Sequence, residues 1–219
     1  MPYLILADER ELPYDLLVQL AKVMDESADI VLADATRQLL HSHGILTIPD
    51  QREAERVAAR FAALGVPNFL RATLLQVPLP KLFPLLHPRL DGAIELAVIG
   101  HLKLTTEHRQ IIVNPLSAQL AGTIEFPSPG SSTETITATQ HDTHFTIDLF
   151  THAHHWRGQA LALVAVQAFL KGIDLSAARL GAGVRNLQAG ERRVPAFTDE
   201  QGYERYLSWL FQLRYARQD

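Results

Sequence analysis

The sequence predicts an α+β protein: a small βααβαβ module followed by an antiparallel β-rich half-barrel with a C-terminal helix. Over residues 2–73 the apolar pattern changes period in the order strand, helix, helix, strand, helix, strand. From about residue 91 alternating apolar and polar segments follow one another largely without intervening helices, which argues for antiparallel pairing. The C-terminus returns to helical spacing, with Tyr203, Tyr206, Leu207, Leu210 and Leu213 on one stripe.

Taken in order, Leu4 to Leu6 is a short extended run, and Tyr14 to Met24 has helical spacing. Pro13 opens that helix, where its missing N–H does no harm. Asp29 to Leu40 is a second helix, and Gly44 supplies the left-handed residue that ends it. Ile45 to Ile48 is extended. The next helix, Gln51 to Leu64, is the best signalled: Asp50 caps it, Glu53 stands where a capping box needs a carboxylate, and Gly65 closes it. Ala54, Val57, Ala58, Phe61 and Ala62 share one face, with Arg52, Glu55, Arg56 and Arg60 elsewhere. Asn68 to Ala72 completes residues 1–74.

Residues 75–90 change character. Pro78, Pro80, Pro84 and Pro88 exclude a continuous helix or central strand, yet Leu79, Leu82, Phe83, Leu85 and Leu86 are too many for a solvated linker. An ordered connection lying along both halves is expected. In residues 91–219, Ile94, Leu96, Val98, Leu102 and Leu104 share one parity and Glu95, His101 and Lys103 the other, the period of a half-buried strand. Residues 108–113, 122–126, 133–140 and 144–150 are further strands, with a turn at 127–132. Ala160 to Leu170 fits either a helix or a buried strand. Residues 176–195 read as irregular, and Thr198 or Asp199 caps the last helix.

The 219 residues carry a net charge of −4 and no long basic run, which argues against phosphate-driven nucleic-acid binding. The absence of cysteine excludes disulfides, thiolate metal sites and a cysteine nucleophile. The start, MPYLILADEREL, lacks the pattern of a signal peptide, and the longest apolar run, Ala160 to Leu170, is too short to cross a bilayer and is expected to be buried. A soluble cytoplasmic protein is expected.

The stretch from Asp29 to Leu40 and the cap-helix-glycine run from Asp50 to Gly65 resemble the C-terminal domain of the bacterial ribosomal stalk protein and Clp adaptor-like modules. The lysine-rich surface of the stalk domain is missing, with only Lys22 on the first helix and Arg37 on the second, so ribosomal function is not implied. The chain from about Leu90 resembles bacterial pleckstrin-homology-like domains, half-barrels closed by a C-terminal helix. Together these likenesses imply scaffolding or recognition, although a shared fold is weak evidence for a shared function.

No catalytic or cofactor-binding residue stands out. Five of the ten histidines fall between His141 and His155. On an unbroken strand His144, Asp148, His152 and His154 would share a face, and their side chains suit a divalent transition metal. Same-face neighbours lie about 7 Å apart, however, so only adjacent pairs can serve one ion. Ser128, Ser131 and Ser132 lie in a Pro/Gly turn, not on a hydrolase elbow. Gly181-Ala-Gly183 lacks the third glycine of a dinucleotide loop and follows no clear strand. Paired carboxylates such as Asp8 and Glu9 suit helix starts. Arg179, Arg185 and Arg193 offer positive charge for an anionic ligand or partner, and Trp209 an aromatic surface. The leading expectation is a non-enzymatic adaptor or structural subunit that binds protein or self-associates through Leu79 to Leu86 and the last helix. The alternatives are a metal-dependent enzyme or metal sensor using the histidine cluster, and an anion-binding module using the arginines.

Overall fold

Residue period decides how the first module is layered. Its elements are β1 (Tyr3–Leu6), α1 (Tyr14–Ala28), α2 (Leu32–His41), β2 (Ile45–Thr47), α3 (Gln51–Ala63) and β3 (Asn68–Arg71). The strands form an antiparallel sheet in the order β2-β1-β3. Alternation along β1 turns Leu4 and Leu6 toward the helices, where they meet Leu20, Met24, Leu46, Val57 and Phe61. Ile5 points the other way. Asp50 accepts hydrogen bonds from the backbone N–H groups of Arg52 at 2.8 Å and Glu53 at 3.3 Å, as a capping residue should. Gly44 and Gly65 take positive φ at the helix ends, 88° and 80°.

The computed structural model describes residues 1–7, 12–85, 90, 92–112, 124–125 and 134–215, excluding the side chains of 104–112, 124–125 and 134–142. The loop at 127–132 with Ser128, Ser131 and Ser132, the Asp8 and Glu9 pair, Leu86, Pro88 and parts of the strands expected at 108–113, 122–126 and 133–140 lie outside it.

The rest of the chain forms β4 (Lys81–Leu82), β5 (Ile94–Ile112), β6 (Ile124–Glu125), β7 (Glu134–Thr151), β8 (His155–Ala160), α4 (Leu163–Lys171), β9 (Arg179–Leu180), α5 (Ala182–Gln188), β10 (Ala196–Phe197) and α6 (Glu200–Tyr215). The sheet runs β10-β5-β7-β8-β4, with β6 on β7 and β9 on β5. Antiparallel pairing holds for β5, β7 and β8, while β4, β9 and β10 join in parallel. The α+β class is therefore as expected, on a mixed sheet. Several strands read separately in the sequence are continuous: β5 and β7 pair from Ile94 opposite Thr151 to Ile112 opposite Glu134. Residues 176–195 are more regular than expected. The Gly181-Ala-Gly183 run follows β9 and opens α5.

Along its described side chains both faces of this sheet are covered. Ala97, Ile99, Ile147 and Leu149 pack under α4 and α5, and Leu96, Val98, Leu102 and Phe150 pack under α6. Covering on two sides explains why β5 is buried at both parities, where the alternation predicted one apolar face. The far side of α6 meets the first module: Ile5 joins Trp209, Leu210 and Leu213 in one cluster, with Tyr3, Ile45 and Phe69 against it. The last helix thus lies between two sheets. Its expected role as a free apolar surface is corrected, since Tyr206, Leu207, Leu210, Phe211 and Leu213 are all buried.

Candidate functional site

The polar groups with most chemical potential lie inside, between the large sheet and α6. On β7 the inward parity carries His144, Thr146, Asp148 and Phe150, and the register sets Asp148 opposite Arg157 and Phe150 opposite His155 on β8. Tyr203 projects from α6 onto Gly100 of β5, where an added Cβ would lie 2.4 Å from the ring. Glycine is required there by that close approach. Asp148 is wholly buried. Its Oδ1 accepts from His155 Nε2 at 2.6 Å and Arg157 Nε at 2.7 Å, and its Oδ2 from the Tyr203 hydroxyl. His155 Nδ1 donates to the Pro78 carbonyl at 2.6 Å, and its ring stacks on Phe150 with centroids 4.1 Å apart. Arg157 reaches Glu204 at 2.6 Å and Glu200 at 3.8 Å.

Burial opposes the Arg157 charge, but Asp148 and Glu204 outweigh it and the guanidinium's pKa is raised. Burial and the Asp148 charge push the Tyr203 hydroxyl well above the usual phenol range, so it stays a neutral donor. A side cavity of about 60 Å³ adjoins the cluster, lined by His144, Thr146, Arg157, Gln159, Glu200 and Tyr203. That is the volume of about two water molecules, too small for a metabolite. Around Asp148 the carboxylate, imidazole, guanidinium and phenol pair with one another across three elements.

The structure separates the residues chosen as metal ligands. Asp148 is committed to the cluster. His144 lies on the same face at the cavity rim, with Gln159 Nε2 3.4 Å from its Nε2. His152 and His154 sit past the end of β7, in the turn to β8, with His152 exposed. Among the described residues no group of three or more metal-ligating side chains comes together. Arg179 lies half-buried on β9, Arg185 donates from α5 to the Leu180 carbonyl, and Arg193 is exposed beyond α5. Trp209 is no surface aromatic: it is 6% exposed, and its indole N–H donates to the Leu6 carbonyl at 2.7 Å. The partners of Asp148 are His155, within the histidine cluster but outside the chosen four, Arg157, which the sequence reading does not single out, and Tyr203, read only as part of an apolar stripe. For 155 and 157 a signal exists: two polar residues of one parity on a short strand.

A second feature is apolar. A groove of about 1210 Å³ runs between α4, the end of β8 and the segment around Leu85 and Leu90, lined by Ala160, Leu161, Ala165 and Phe169, with Asp174 its one charged residue among those described. Val166, Phe169 and Leu170 of α4 pack inward. The opposite side carries Val164 at 70% exposure, with Ala165 and Ala168 also exposed, and Leu161, just before the helix, is 87% exposed. The expectation that Ala160 to Leu170 is buried therefore holds for one face only. No family model, curated protein or solved structure matches this chain.

Proposed function

We propose that the chain is a non-enzymatic protein-binding adaptor or structural subunit that meets its partner through the outward face of α4 and the adjoining groove. One observation carries the reading: Val164 on α4 and Leu161 just before the helix are exposed to solvent, and α4 has Gln167 as its one polar residue before Lys171. A helix apolar on every side is normally covered on every side, and contiguous exposed apolar surface marks a contact. Leu79 and Leu82, on the segment before β5, are exposed as well. Inward-turned Asp148, His155 and Tyr203, occupied with one another, support binding over bond-making chemistry. The likeness of residues 1–74 to stalk and Clp-adaptor modules, and of the later part to pleckstrin-homology-like domains, favours recognition too. A cysteine-free chain suits a partner in the cytoplasm.

The test is purification from the producing cells, with light scattering of the eluate, for the native chain and Val164→Glu. The native chain is expected as an oligomer, or with a co-eluting protein at fixed stoichiometry. The variant, matched in unfolding midpoint, loses that association. A native chain that elutes alone as a monomer overturns the reading.

A further inference from the structure

Both ring nitrogens of His155 face oxygen acceptors, each at 2.6 Å: Nδ1 the Pro78 carbonyl and Nε2 Asp148 Oδ1. A carbonyl has no proton to give, so Nδ1 donates. Asp148 already receives Arg157 and the Tyr203 hydroxyl, as an acceptor-only carboxylate does. Nε2 therefore donates too, and an imidazole with two N–H groups is a cation. The charges then balance, His155 and Arg157 against Asp148 and Glu204.

We propose that His155 is a proton-operated latch on the strap formed by residues 74–83, which holds Pro78 while both ring nitrogens are protonated and releases it when one proton is lost. A neutral ring keeps one N–H, and the carboxylate is a stronger acceptor than the carbonyl. The remaining proton stays on Nε2. A bare Nδ1 then faces the Pro78 oxygen, lone pair against lone pair, across 2.6 Å. Of the charged and titratable groups, Asp148 from β7 bonds His155 directly; Arg157 from β8 and the Tyr203 hydroxyl from α6 share that carboxylate, and Glu204 and Glu200 lie beyond Arg157. The strap itself brings only Lys81, which lies over Trp156.

Flanking bonds define what the latch controls. Gln212 grips Leu75 twice, accepting its N–H at 3.0 Å and donating to its carbonyl at 2.8 Å. Phe83 N–H donates to the Arg157 carbonyl at 3.0 Å. Between these anchors the strap passes from one face of the sheet to the other. Leu75 and Val77 pack on the core that joins the two sheets, whereas Phe83 packs on Gly158 and Phe169. Release at Pro78 loosens both attachments together.

The experiment is nitrogen-resolved NMR of the His155 ring in the full chain, across the pH range in which the chain stays folded, with amide hydrogen exchange on the same samples. Ring-to-backbone couplings assign the signal, so the test does not depend on a variant folding. While the strap is held, both nitrogens are expected to carry protons. As the Nδ1 proton is lost, exchange at Leu75 and Phe83 should accelerate about ten- to hundred-fold, the value of one charge-assisted hydrogen bond, while Phe61 is unchanged. A ring with one bare nitrogen beside a protected strap overturns the latch. So does exchange that ignores the ring's deprotonation, or a ring that keeps both protons until the whole chain unfolds.

Discussion

Asp50 and Asp148 are both carboxylates that accept several hydrogen bonds, and they represent two ways of holding a chain together. Asp50 is exposed and accepts from amides two and three residues away, so its contribution is local and solvated. Asp148 is wholly buried and accepts from side chains seven, nine and fifty-five residues away. The first module is specified by signals of the Asp50 kind: a cap, a left-handed glycine, one apolar stripe per helix. The region around the large sheet depends on partners that meet only when the fold is complete. In such a region the cost of a substitution is set by what the removed group leaves unpaired.

The largest test of that contrast is Asp148→Asn. It keeps the shape but strips the counter-charge from Arg157, 8% exposed, and His155, 2% exposed. Breaking a buried ion pair by removing one partner costs about 3–5 kcal/mol, and denaturant unfolding should show that loss. A cost below that of an Asp50 substitution would reverse the contrast. Gly100→Ala comes next, at about 1–3 kcal/mol, because the new methyl must displace the buried Tyr203 ring. The control is Gly65→Ala, where nothing lies within 4 Å and only the φ of +80° is strained, at about 1 kcal/mol. If the two cost the same, Tyr203 is not held firmly against the sheet.

Smaller again is Asp50→Ala, which removes one cap and should lower stability by about 1 kcal/mol. It checks the local half of the contrast directly, by the midpoint of thermal or denaturant unfolding. The loss should not grow when Asp148→Asn is added, because the two carboxylates share no partner and their effects should be additive.

The same contrast explains what could be read in the sequence. Helix α3 was legible at both ends because Asp50, Glu53 and Gly65 act within one turn of the residues they cap. Helix α6 was found too, with Asp199 capping Gly202 at 2.6 Å. Its burial against two sheets was not legible, because periodicity cannot show a second sheet arriving from residues 3–71. Parity puts Asp148 on one face with His144, as the strand does, but His152 and His154 join that face only if the strand runs on past them. The strand ends at Thr151, and the turn to His155 breaks that face. Its true partners come on the returning strand, where their side depends on the hairpin register. Tyr203 comes from farther still.

The least costly test uses pH and addresses the junction between the two regions. His43, at φ 49° beside Gly44, sets its ring against Phe197 and Tyr206, so the α2–β2 turn docks on α6. Burial lowers its pKa from 6.5, helped by Arg205 and His41 and opposed by Asp199. His101, stacked on Phe145, is lowered for similar reasons: burial, then Lys103 and His144. A lowered folded-state pKa means that the unfolded chain binds the proton first as pH falls. Stability from these two rings is therefore full above about pH 6.5 and declines as pH drops through that value toward the lowered pKa. His43→Asn removes one titration while keeping a side chain that tolerates positive φ. Denaturation midpoints measured on both sides of pH 6.5 should fall less steeply on the acid side in the variant than in the native chain. Equal slopes would mean that protonating His43 does not strain the contact between the first module and α6.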